Sequence, residues 1–182
     1  MRTLGQFGFA GLIALLLAGC QNSASNMPEQ ELADYVDLER FMGTWYVLAH
    51  KPTFLDDDAH AAVEIYERDG EKIRTTYRFR AGSFDGKVKE YHPVATIYDE
   101  ESNAEWRMRF FYFFKQPYLI LYVDPEYETT VIGYPDRSMA WIMARDREIS
   151  EDRYAALEAE LTERGYDLSI LRRMPQPPVG EG

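Results

Sequence analysis

Between residues 44 and 146 apolar and polar positions alternate with a period of two, in runs of Val, Ile, Tyr, Phe and Thr broken by clusters of Gly, Asp, Asn and Pro. The alternation predicts eight strands, at 44–51, 61–68, 72–81, 87–98, 104–114, 117–124, 128–135 and 138–146. The links RDGEK (68–72), FDGK (84–87), YDEESN (98–103), VDPEYE (123–128) and YPDRS (134–138) are short and have hairpin chemistry. Only KPTFLDDDAH (51–60) is long. Eight antiparallel strands joined in order by hairpins predict an all-β, up-and-down barrel, because closing the sheet removes both of its edges. At 150–166 the spacing turns helical, with Tyr154, Leu157 and Leu161 on one stripe, Ser150 placed to cap the start and Gly165 to end it. This single α-helix must pack on the outside of the barrel.

Alternation also sorts each strand into two faces. On the third, Ile73, Thr75, Tyr77 and Phe79 oppose Arg74, Thr76, Arg78 and Arg80; on the fifth, Trp106, Met108, Phe110 and Tyr112 oppose Arg107, Arg109, Phe111 and Phe113. The charged side is the outside. Counting along the other strands turns His92, Val94, Tyr118, Val131 and the small Gly133 inward as well. Eight strands enclose a space that side chains fill or that holds one small ligand. Aromatic and thioether groups with a few polar ends suit an elongated apolar ligand, and they equally suit a packed core.

The ends of the chain add an address. Residues 1–19 carry one early positive charge and an apolar run, Phe9–Leu17, too short to span a bilayer, so they read as a signal peptide. The run ends in Leu17-Ala18-Gly19-Cys20, which resembles the bacterial lipobox and implies cleavage before Cys20 and its lipidation. Cys20 is the sole cysteine among 182 residues, so no internal disulfide exists. Gln21, rather than Asp, at the next position implies sorting to the outer membrane, with the periplasmic face expected. Residues 20–35 read as a lipidated N-terminus and tether, 36–174 as one folded domain, and 175–182 as a Pro-rich tail. A net charge of −11 excludes a nucleic-acid partner, which needs clustered cations.

Gly43-Thr44-Trp45-Tyr46, the segment TVIGYPDRSMAWIMAR (130–145) and the helix after it resemble the lipocalin family, with similarity to bacterial outer-membrane lipoprotein lipocalins and to apolipoprotein D. The resemblance runs from about Asp37 to Arg173. It implies that Trp45 sits inside the closed end of the barrel with Arg145 across it, a cation–π contact forming a structural floor with Gly43. It further implies ligand contacts at Ile65, Tyr77 and Trp141, beside the inward His92, Val94, Met108, Phe110, Tyr118 and Val131. The loop Pro52–His60 would overhang the open end. The implied ligand is a fatty acid or lysophospholipid, stored or transported in envelope maintenance, with a homodimer as one option. The disulfides of apolipoprotein D are missing here, and Tyr77 replaces a smaller polar residue.

Rival readings rest on other residues. An enzyme is not expected: His50, His60 and His92 lack metal-ligand spacing, DDDAH reads as a solvated acidic loop, and no nucleophile-elbow motif occurs. The lipocalin with isomerase activity uses a cavity cysteine that this chain lacks. No cofactor is expected, although His92, if inward, would be an axial ligand for a tetrapyrrole. The main alternative is a structural or protein-interaction lipoprotein with a filled barrel, Phe111 and Phe113 offering an outer contact surface.

Overall fold

The computed structural model describes residues 28–111 and 114–178, excepting the side chains of Phe111 and Phe114. The signal peptide, Cys20, the first part of the tether, Tyr112, Phe113, the Phe111 side chain and residues 179–182 lie outside the described residues.

A short helix, α1 (Leu38–Phe41), leads into β1 (Gly43–His50), followed by β2 (Ala59–Asp69), β3 (Lys72–Ala81), β4 (Val88–Tyr91), β5 (Val94–Ile97), β6 (Glu105–Phe111), β7 (Phe114–Val123), β8 (Thr129–Gly133) and β9 (Ala140–Ala144). All pairings are antiparallel, and β1 also pairs with β9, from Tyr46 opposite Ala144 to His50 opposite Trp141. The barrel is therefore closed. Its eight staves match the eight expected strands, with one broken: β4 and β5 are two halves of the fourth, both lying on β3. The break falls at His92-Pro93, where proline has no N–H for the ladder and its carbonyl accepts instead from Thr75 N at 3.0 Å.

Helix α2 (Glu151–Glu163) starts at Ser150, whose hydroxyl accepts from the Arg153 N–H. It ends in paired bonds, Gly165 N to Thr162 O and Tyr166 N to Leu161 O, that satisfy its last carbonyls. Its buried stripe of Tyr154, Leu157 and Leu161 covers Leu119, Leu121, Val131 and Ile142 on the outer wall. Under this helix β8 and β9 are buried on both faces, all ten residues of them.

Described segments flanking the expected domain dock onto it. Ahead of the domain, Gln30 donates to the carbonyls of Tyr134 and Pro135, and Ala33 N donates to Ile120 O, so the expected tether is tied down from Gln30. At the domain's C-terminal edge, β10 (Arg172–Arg173) pairs with Ala49 and His50 at the level where β2 has parted from β1. The expected tail continues this patch: Ala61 N donates to Pro175 O at 2.7 Å, and the Gln176 amide spans the gap to Val47 O and Ala62 O.

Candidate functional site

One end of the barrel is closed by aromatic packing. Asp37 caps α1 by accepting from Glu39 N and Arg40 N, and α1 drives Phe41 into the base against Trp45, Tyr66 and Trp106, with ring centroids 5.0–5.6 Å apart. Trp45 donates its Nε1–H to Phe41 O at 2.8 Å. The Arg145 guanidinium lies 3.8 Å from the Trp45 ring and donates to the carbonyls of Arg40, Phe41, Met42, Thr44 and Tyr127. Gly43 takes φ +94°, a conformation that lets the chain turn from α1 into β1 beneath that guanidinium. Desolvation lowers the Arg145 pKa to about 10, which leaves it charged at neutral pH.

Above this plug stands a polar group that hydrophobic alternation does not announce. Glu64 is buried inside the barrel; Tyr66 OH donates to its Oε2, and Tyr66 and Tyr118 share a further hydrogen bond. Because Tyr66 spends its proton on the carboxylate, the relay runs from Tyr118 to Tyr66 to Glu64. Burial, with the nearby Asp56 charge, raises the Glu64 pKa to about 7 despite the two hydroxyls.

Beyond Glu64 the barrel opens into a cavity of about 160 Å³, walled by Tyr77, Tyr91, Phe110, Tyr134, Met139 and Trp141 and overhung by Thr53, Leu55 and Asp56 of the 51–58 loop. Asp56 holds that loop in place: its Oδ1 accepts from Thr53 N and Thr53 Oγ1, and its Oδ2 accepts from Tyr77 OH at 2.9 Å. His50 Nδ1 lies 3.4 Å from Oδ2, close enough for charge attraction but without hydrogen-bond geometry. Although burial opposes it, this set of donors and His50 lowers the Asp56 pKa to about 2.

A closed eight-stave barrel with an arginine-covered tryptophan floor, an outer helix and an end-opening cavity can be compared with known families. The family model described as lipocalin-like domain matches residues 36–176. The chain belongs to this family. Among curated lipocalins and lipoproteins, Temperature-induced lipocalin-1 of Arabidopsis thaliana is 26% identical over 168 residues, covering 81% of this chain and 83% of the relative. Outer membrane lipoprotein Blc of Escherichia coli K12 is 26% identical over 179 residues, covering 92% of this chain and 94% of the relative. Of solved structures, insecticyanin of the tobacco hornworm Manduca sexta superposes with a TM-score of 0.64 at 16% identity, covering 81% of this chain and 84% of that one. Lobster apocrustacyanin A1 gives 0.61 at 14% identity, covering 84% and 93%. At such identities these two establish the fold alone.

The lipocalin barrel places the expected site residues in three groups. Tyr77, Phe110 and Trp141 line the cavity, while Met108 and Tyr118 are buried inside the barrel below them. Gly43, Trp45 and Arg145 meet at the base. Four residues face the other way. Ile65 points outward and half-exposed, because Trp45 pairs with Glu64 and so puts Glu64 and Tyr66 on the inner face. His92 is exposed beside Glu90, and Val94 pairs with the outward Arg74 and Arg109; Tyr91 opposite Tyr77 and Ala95 opposite Ile73 take the inner positions. Val131 lies under α2, with Ile132 inward in its place. Gly133 also faces out, towards Tyr166. With His92 outside, the tetrapyrrole reading loses the ligand on which it rested.

Alternation missed Glu64, Asp56, Tyr91 and Tyr134. For Glu64 the usable signal was register: a residue paired with the floor tryptophan shares its face.

Proposed function

We propose that this lipocalin is an outer-membrane-anchored carrier or store of small hydrophobic molecules, fatty acids and lysophospholipids being the first classes to test. The end-opening cavity carries the reading. Its walls are mainly aromatic and thioether groups, converging on a few polar ones, the composition of a small-molecule site rather than of a uniformly packed interior. The lipobox ahead of Gln21 and the similarity to a relative named as an outer membrane lipoprotein support the anchor. The same cavity sets a limit on the ligand. A volume of about 160 Å³ compares with the roughly 150 Å³ that accommodates benzene, so a long acyl chain engages it with one end and leaves the rest at the mouth or under a displaced 51–58 loop.

Titration of the mature chain carrying Cys20→Ser with a lysophospholipid and a chain-matched fatty acid, followed by tryptophan fluorescence, tests this. The expected result is saturable one-site binding whose signal is lost in Trp141→Phe. Absence of a saturable response to either would overturn these two lipid classes as ligands and count towards the filled barrel, whose lower half Phe41, Trp45, Tyr66 and Trp106 already occupy.

A further inference from the structure

The cavity's polar lining has one sign. Its charged walls are Asp56 and Glu64, and among the described residues no lysine or arginine lines it. The two carboxylates differ in what they still accept. Asp56 is taken up on both oxygens by Thr53 and Tyr77, with His50 behind it, so it acts as the pin of the overhanging loop. Glu64 lies at the inner end, where Tyr66 OH donates to its Oε2 and Tyr118 OH bonds to Tyr66 in turn. A carboxylate accepts about four hydrogen bonds, and this one retains room for another donor from the cavity side.

From this geometry we infer that the ligand enters polar end first and presents a cationic donor, a primary amine on an apolar stem, to Glu64, and that a carboxylate in the same place is refused. This rests on the cavity being the binding site and narrows its ligand. An ammonium supplies three donors and the missing positive charge; an alcohol supplies one donor without charge; a carboxylate supplies neither and meets two like charges in a water-poor space. The stem then lies along Tyr77, Phe110, Met139 and Trp141. Binding an ammonium also favours the ionised form of Glu64, which burial opposes in the empty barrel.

The test uses three probes sized to the cavity, 1-hexylamine, 1-hexanol and hexanoate, titrated into the mature chain carrying Cys20→Ser at pH 7.5 with tryptophan fluorescence as the readout. The amine is expected to bind tightest and hexanoate weakest, the two separated by at least about tenfold, the scale of one hydrogen bond to a charged group. In Glu64→Gln the preference for amine over alcohol should collapse while hexanol binding persists. On the unsubstituted side chain, the carboxyl carbon resonance of Glu64 should move to its ionised position when hexylamine, but not hexanol, is added at pH 6, a readout that needs no variant to fold. Equal binding of hexanoate and hexylamine, or an amine preference that survives Glu64→Gln, overturns the inference and leaves the tail-first mode. Failure of all three probes to bind, together with no response to lipid, overturns the cavity reading itself.

Discussion

At the residue scale the molecule depends on how single side chains hold the barrel base. Trp45 is fully buried, touches Phe41 and Arg145, and spends its only donor on Phe41 O, so its removal exposes several partners at once. Trp45→Ala should cost about 3–5 kcal/mol, the range for a large aromatic lost from a core. Denaturant unfolding reads this directly, and an unchanged midpoint would contradict the floor role. Arg145 adds a different kind of hold. Its planar fork reaches five carbonyls from α1, β1 and the β7–β8 turn, including that of Tyr127, which adopts φ +61° and accepts from Asp37 N through its hydroxyl. A lysine has no such fork and could not serve all these groups.

At the element scale the deciding feature is whether a strand has one buried face or two. Gly133 in β8 is a clear instance: a Cβ there would sit 1.9 Å from Tyr166 OH and 2.8 Å from a Leu121 methyl, while Tyr166 OH itself donates to Tyr134 O. Gly133→Ala should therefore destabilise by about 1–3 kcal/mol, the cost of overpacking, and adding Tyr166→Phe should recover part of it by removing the nearest clashing atom. Thermal unfolding of the two variants checks the pair; a double variant no better than the single would place the clash elsewhere. The same feature explains what alternation could and could not reveal. Strands β3 and β6 read correctly because arginines mark their outer faces. Strands β8 and β9, buried on both sides beneath α2, carry no charged residue to mark a face, and Val131 and Gly133 fell on the wrong one. In β2 the mark is inverted, since Val63 and Ile65 lie outside while a carboxylate lies within. In β5 the phase follows pairing with β3 after the break at Pro93, which placed Ala95 rather than Val94 inward. The closed barrel, its helix and its base were legible in the sequence; the polar end of the cavity was not, because nothing in local hydrophobicity favours burying Glu64.

At the scale of the whole molecule, that burial sets a pH dependence of stability with a definite sign. The Glu64 pKa is raised from 4.5 to about 7, so the folded chain binds the proton more tightly than the unfolded chain. Stability from this group must fall as pH rises from about 4.5 to 7 and stay low above that, by an amount on the order of 3 kcal/mol. Asp56 acts in another window: with its pKa lowered from 3.8 to about 2, its contribution is present above pH 3.8 and lost as pH falls through 2. Facing Glu64 are Tyr66 on its own strand, Tyr118 on β7, Tyr77 on β3, and Asp56 with His50 at the loop. The tyrosines have pKa values raised by burial and remain neutral throughout. Total stability mixes these groups with the general repulsion of a chain carrying −11, so the informative quantity is the difference between the parent and Glu64→Gln. Gln keeps the shape and an acceptor for Tyr66 but cannot ionise. Urea unfolding at pH 5 and pH 8 should show the variant gaining on the parent by about 2.5 kcal/mol between the two, and a constant difference would mean that Glu64 ionises as freely folded as unfolded. Hexylamine adds a second arm: at pH 8 it should stabilise the parent more than an equal concentration of hexanol does, and in Glu64→Gln the two should stabilise alike, because only a carboxylate held ionised against its burial gains from a cation beside it.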